Sequence, residues 1–216
     1  MRKGLRKLIV TCTTLILCIG LIGCGKEKSK EESVKDTVET FVNISLGIDD
    51  KDATKITTQS DLDNFYRMRE TLTLTSFRNQ VTSMGCTLSD EEINNHYAIM
   101  EETIKKIPYK VEVVEEDKDT AVVKVSINRI DIEGIGETAA QKAIEEYQDK
   151  DVQDPAIKEQ FVRRFIEILQ DGLKNAVPNE EAEEEEYTVK KDLKEWTDTE
   201  KTDFLKDIIE LTGVEE

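Results

Sequence analysis

A basic start, an apolar run and an abrupt turn to polar sequence divide this chain at residue 24, and that division sets what the remainder can fold into. Arg2, Lys3, Arg6 and Lys7 precede an apolar stretch from Leu8 to Ile22, broken only by Thr11, Thr13, Thr14 and Gly20. Those are the n- and h-regions of a secretory signal. The run is shorter than the ~20 apolar residues that a bilayer-spanning helix needs. Cations before it, and none after its apolar part until Lys26, hold the start in the cytoplasm.

Leu21, Ile22, Gly23 and Cys24 close the run. Together they resemble a bacterial lipobox, in which an aliphatic residue and two small or aliphatic ones precede an obligatory cysteine. The resemblance implies cleavage between Gly23 and Cys24 and a diacylglyceryl thioether on the Cys24 sulfur, with acyl chains of the palmitate kind. Two chains, at ~0.8 kcal/mol per buried CH₂, anchor stably where one is marginal. The expected division is a signal peptide over 1–23, a flexible tether over 24–32 and an extracytoplasmic domain over 33–216. The alternative is an uncleaved amino-terminal membrane helix with a chance cysteine at its end.

With residues 1–23 gone, the formal charge falls from −17 to −21, because four cations leave and no acid does. Such a surface repels nucleic-acid phosphates, which need clustered Lys and Arg. It repels an anionic membrane face as well, so only a lipid could hold it there. Nucleic acid is excluded as a partner. Of four cysteines, Cys12 and Cys18 leave with the run and Cys24 takes lipid, so Cys86 stands alone. The domain must fold without an internal disulfide, and its length suits one core without staples. Cys86 reads as a buried small hydrophobe, against the reactive thiol a lone exported cysteine can also be. Abundant Lys, Ile, Glu and Asn hint at a Gram-positive source.

Beyond the tether the apolar period is helical, then alternating, then helical again. Ser33 with Asp36 caps a helix whose Val34, Val38, Phe41, Val42 and Leu46 share a face, with Gly47 as its stop. A short helix follows over 49–58, with Ala53 and Ile56 inward. From Ser60 to Met84 a helical face runs through Leu62, Phe65, Met68, Leu72, Leu74, Phe77 and Val81. Within it, Thr71 to Thr75 alternates as a strand would, but no turn residue separates the flanks, so the helix is expected to continue. Ser89 and Glu92 form a capping box for the stripe Ile93, Tyr97, Met100, Ile104 and Ile107, ended by Pro108.

Tyr109 to Glu115 and Val123 to Ile127 then alternate as a hairpin about a polar turn. Ile130 and Ile132 fall out of phase with Ile127, which predicts a bulge near Asn128 or Arg129. Gly134-Ile135-Gly136 reads as a turn, lacking the third glycine and basic residue of a phosphate loop. Two helices follow. One carries Ala140, Ala143, Ile144 and Tyr147; the other is capped by Asp154 with Pro155 in its first turn and has Ile157, Phe161, Phe165, Ile168, Leu169 and Leu173 inward. The acidic run from Glu180 to Glu186 reads as a solvated loop or edge-strand charge, having neither the alternating oxygens nor the glycine turn of a calcium loop. A strand with Tyr187, Val189 and Leu193, then Trp196 near its end, then a helix capped by Thr197 and Glu200 complete the chain.

Helices, a hairpin, a helical pair, another strand and a closing helix define α+β. LGIDDKDATKIT after the opening helix, and EEYTVKKDLKEWTDTEKTDFLKDIIELTG near the end, resemble bacterial lipoprotein domains with the nuclear-transport-factor-two-like, or cystatin-like, cone fold. That resemblance implies a curved antiparallel sheet with amino-terminal helices, and a helical-pair insertion over about 137–177 seen in uncharacterised domains of Gram-positive lipoproteins. The expected function is a non-catalytic module at the outer face of the cell membrane, binding a small ligand or an envelope protein and using no cofactor. Enzyme chemistry in the cone cavity and a structural role in an envelope complex are the alternatives. His96, the sole histidine, has no second His or Cys pair to make a metal site, and reads as a partly buried structural residue. Asp131, between Ile130 and Ile132, reads as solvent-facing. No catalytic, metal or ligand-binding residue can be named from the sequence.

Overall fold

The structure, a computed structural model, describes residues 33–48 and 51–213. The leader, the Gly23–Cys24 junction and the tether over 24–32 lie outside the described residues. Those described form α1 (Val34–Leu46), α2 (Ala53–Ile56), α3 (Gln59–Ser83), α4 (Asp90–Ile104), β1 (Tyr109–Glu116) and β2 (Thr120–Ile127). The chain continues through α5 (Ile132–Glu146), α6 (Pro155–Lys174), β3 (Glu183–Lys190), a 3-10 turn (Leu193–Glu195) and α7 (Asp198–Thr212). The architecture is α+β, with one open antiparallel sheet in the order β1-β2-β3.

Local chemistry sets the helix ends. The Ser33 and Thr58 side chains accept from the Asp36 and Asp61 amides. Ser89–Glu92 and Thr197–Glu200 are full capping boxes, and Gly47 and Gly213 end α1 and α7 in the left-handed region, each at φ 67°. Thr71 to Thr75 stays helical within α3. There the Thr71 hydroxyl donates to the Arg67 carbonyl, one turn back, so the alternation never meets a partner strand.

Two apolar clusters follow from these elements. In the first, α1 and α7 lie on the sheet, and Val38, Phe41, Val123, Val125, Ile127 and Ile208 are almost wholly buried. Phe41 stacks on Trp196 with ring centroids 5.5 Å apart, and Phe204 meets both edge-on. The Trp196 indole donates to the Lys190 carbonyl at 2.9 Å, which satisfies its one polar atom and fixes the ring at the end of β3. The second cluster is helical, formed by Phe77 and Val81 of α3, Ile93 of α4, Ala139, Ala140 and Ala143 of α5, and Phe161, Val162, Phe165 and Ile166 of α6.

Two expectations are corrected. The bulge lies in β1, between Val113 and Glu115, and not near Asn128 or Arg129. Val113 and Val114, beside it, are 40% and 46% exposed. The phase slip after Ile127 marks the end of β2, because Arg129 leaves the sheet to donate to the Leu211 and Glu210 carbonyls at the end of α7. Gly134-Ile135-Gly136 is not a turn but the first part of α5, with the Asp131 carboxylate accepting from the Gly134 amide at 2.8 Å as its cap. Its small residues serve helix contact: Ile135 lies so near Gly172 of α6 that a Cβ there would come within 2.6 Å of its Cγ2.

The acidic run resolves as edge strand. Glu183 to Glu186 are exposed in β3, with Glu184 paired to Lys124 at 3.0 Å and Glu183 to Arg129 at 2.9 Å. Charge on an outer strand discourages edge-to-edge pairing.

Candidate functional site

The helical cluster is not fully packed. Between α3, α4, α5 and α6 lies an apolar recess whose enclosed space is about 50 Å³, rising to about 560 Å³ only when the open solvent at its mouth is counted. Helical spacing builds each wall. Phe77 and Val81 stand one turn apart on α3, with Gln80 beside them and Met84 at its end; His96 and Met100 do the same on α4. Phe165, Leu169 and Leu173 follow on successive turns of α6, while α5 presents Ile132 and Gly136. The Thr103 hydroxyl, shared between the Ile99 and Leu173 carbonyls at 2.7 and 3.0 Å, ties α4 to α6 near that wall.

None of the lining side chains is charged, and only Gln80 and His96 are polar. His96 is 4% exposed, stacked on Phe77 with centroids 3.7 Å apart and planes 11° from parallel. Its Nδ1 is sealed from solvent and has no hydrogen-bond partner. Burial penalises the imidazolium and pulls the pKa down from 6.5 to about 4, so the ring is neutral at pH 7. A neutral imidazole offers one donor and one acceptor. The ring lines the recess, but its unpartnered Nδ1 faces protein and not the open space.

His96 was expected to be partly buried at the edge of the α4 stripe; it is instead among the most buried residues of α4, where α6 covers a face the stripe had left outside. The positions 93, 96, 100 and 104 also recur at helical spacing, and that was the available signal. Gln80 and the cavity itself had none. Asp131 is exposed and engaged as a helix cap. Cys86 is 1% exposed, and burial pushes its thiol up against the opposing charge of Arg163. That arginine is occupied by Glu92 at 2.6 Å and Glu159 at 3.1 Å, so Cys86 is a protonated core residue. Among the described residues no group of three or more His, Cys, Asp or Glu is arranged to hold a metal ion, and no helix is long and apolar enough to cross a membrane.

On the inner face of the sheet, Phe41, Trp196 and Phe204 pack ring against ring.

No protein-family model matches the chain, and no curated protein matches it. Among solved structures it is similar to the crystal structure of YcdA from Bacillus subtilis, described as a candidate lipoprotein, at 15% identity and a TM-score of 0.49. The likeness covers 80% of this chain and 54% of that one, so the chain spans about half the length of this neighbour.

Proposed function

We propose that the chain is a lipid-anchored module at the extracytoplasmic face of the cell membrane, and that its body binds a small ligand without transforming it. The observation that carries the binding reading is the apolar recess between α3, α4, α5 and α6, with a deeply buried imidazole in its wall. Anchoring rests on the n-region, the apolar run and the Leu21–Ile22–Gly23–Cys24 motif, with diacylglyceryl on Cys24. The non-catalytic reading is supported by the lining: a neutral imidazole with no carboxylate or nucleophile beside it lacks the paired groups that acid–base or covalent catalysis requires. We read the α+β body as a variant of the nuclear-transport-factor-two-like cone, because α1 and α7 cover a three-stranded antiparallel sheet and the α5–α6 pair enters between β2 and β3.

The test is a thermal-shift screen of small apolar compounds against the wild-type chain and a Leu169→Trp variant whose indole occupies the cavity. Compounds that raise the melting temperature of the first and not the second are expected. A screen in which no compound tells the two apart would sink the binding reading. A docking role toward an envelope protein has one observation in its favour, the exposed Val113 and Val114 on the outer strand β1. Binding that survives Leu169→Trp but is lost on Val113→Lys would favour it.

A further inference from the structure

α3 carries apolar residues on two sides, and the two apolar clusters take up mainly one. Leu62, Phe77 and Val81 are its buried residues, and Leu74 and Met84 pack beside them. Met68 stands two and a half turns before Phe77, at ~3.6 residues per turn, and so points the other way. Through it runs a second series at alternating steps of four and three: Asp61, Phe65, Met68, Leu72, Thr75, Asn79 and Thr82. Such spacing keeps a narrow seam along a helix, as in a coiled coil. Phe65 touches the sheet cluster from its margin, but among the described residues Met68 and Leu72 belong to neither cluster. Both are half-buried, while Thr75, Asn79 and Thr82 are exposed.

Charge indicates what covers this side. Residues 71–89 hold no Asp or Glu over 19 positions, the longest such run after residue 24; the next, 120–130, has 11. From Phe65 to Thr82 the seam has no charged member. Elsewhere a body with a net formal charge of −21 repels another of its kind, and a cationic partner is drawn to that acidic remainder instead of to this neutral strip. A second copy of the chain meets least repulsion here.

The seam also complements itself. Two such helices laid antiparallel, with a two-fold axis level with residue 70, set Met68 against Leu72 of the second copy and Phe65 against its Thr75. Asp61 then meets its Asn79. The Asp61 carboxylate accepts from the Thr58 hydroxyl at 2.6 Å through Oδ2, and its Oδ1 can accept from that amide. Glu70 lies about two turns before Phe77, on the side away from the axis, so the two copies of it do not confront each other. We infer that two copies of this chain pair through α3, isologous and antiparallel, around Met68 and Leu72. The pairing goes beyond binding at the recess and does not depend on it, since Phe77, Gln80, Val81 and Met84 line the recess from the other side of α3.

Sedimentation velocity of the whole mature chain, residues 24–216 with Cys24→Ala, tests this over a wide range of concentration. The expected result is a reversible monomer–dimer equilibrium. It should tighten from 0.1 M to 1 M NaCl, as the Debye length falls from ~10 to ~3 Å and repulsion between the acidic bodies is screened. Leu72→Asp and Met68→Asp should each weaken the dimer about tenfold or more, by burying an uncompensated charge, with helical circular dichroism unchanged. Asn79→Lys should tighten it, gaining an ion pair with Asp61 of the second copy, and Asn79→Asp should weaken it. Val114→Asp, on the β1 edge, should leave it unaltered. A monomer at every concentration in both salts would overturn the pairing. So would a dimer lost in Val114→Asp and kept in Leu72→Asp, which would place the contact at the sheet edge. Weakening by Asn79→Lys and Asn79→Asp alike would overturn the antiparallel register. A monomer that co-sediments with vesicles of anionic lipid, and loses them on Leu72→Asp, would give the seam to a membrane surface instead.

Discussion

His96 couples the cavity to the stability of the fold. Its folded pKa of about 4 lies below its ordinary 6.5, so between those values the unfolded chain binds a proton that the folded chain does not. Stability therefore falls as pH drops from about 6.5 to about 4, by about 3 kcal/mol in all, and is flat with respect to this residue above and below that window. Urea midpoints at pH 7.5 and pH 4.5 should separate clearly for the wild type. In His96→Phe, which keeps the stack on Phe77, most of that separation should vanish; an unchanged separation would place the acid response elsewhere. Glu200, bonded to Lys190 and the Thr197 cap, is held near 2, so its own stabilisation is lost between about 4.5 and 2 and only begins to go at the lower end of the His96 window. Gly213 gives a second residue-scale expectation. Its φ of 67° is strained for any Cβ, and an added methyl would meet Arg129 Cδ at 2.8 Å, displacing the guanidinium from the carbonyls of α7. Gly213→Ala should cost about 1–2 kcal/mol, read as a lower thermal midpoint.

Among the elements, the α5–α6 pair is held close by small side chains. Ala139, Ala140 and Ala143 are all buried in the helical cluster with α6, and Gly172 permits a contact with Ile135 that a Cβ would obstruct. Ala143→Leu has no room and should destabilise the chain by about 1–3 kcal/mol, and with it perturb compound binding, because α5 forms one wall of the recess. Denaturant titration beside the thermal-shift screen checks both; a neutral effect would mean that the pair is looser than its buried alanines imply. Element by element, the sequence carried a great deal of this. Ser33, Ser89, Asp154, Thr197, Gly47 and Gly213 all punctuate helices where their chemistry says they should, since a cap acts within a few residues. The Thr71 to Thr75 alternation and the Gly134–Gly136 pair show the limit. Each offers a local pattern compatible with two conformations, and the decision falls to partners distant in sequence: no strand to pair with the first, and α6 packed against the second. The bulge was misplaced for a related reason, because a change of phase looks the same whether a strand bulges or ends. The cavity was invisible throughout. Its walls are ordinary helical stripes, and a void is a property of how four helices fail to interdigitate, which no one stripe records.

At the scale of the whole molecule, two apolar clusters share α4, with Ile93 in the helical one and Ile104 in the sheet one, so the helical recess and the sheet body are parts of one unit. The residues after Gly23 carry a net formal charge of −21, and an anionic leaflet repels such a body. In the proposed reading retention comes from acyl chains on Cys24, whose grip is hydrophobic and indifferent to salt. Two signatures follow. The wild-type protein should remain with the membrane fraction in both low salt and 0.5 M NaCl and carry a diacylglyceryl mass on its first mature residue. Cys24→Ala should carry no acyl mass and retain the leader, whose apolar run keeps it in the pellet, whereas the leader-free body, residues 24–216 with Cys24→Ala, should appear in the soluble fraction under both conditions. Fractionation with immunoblotting, and intact mass of the purified product, read both. A leader-free body that pelleted with membranes in low salt and came off in high salt would reveal a cationic docking surface on a strongly acidic chain, and a Cys24→Ala protein still trimmed to residue 24 yet held by membranes would overturn lipidation as the anchor.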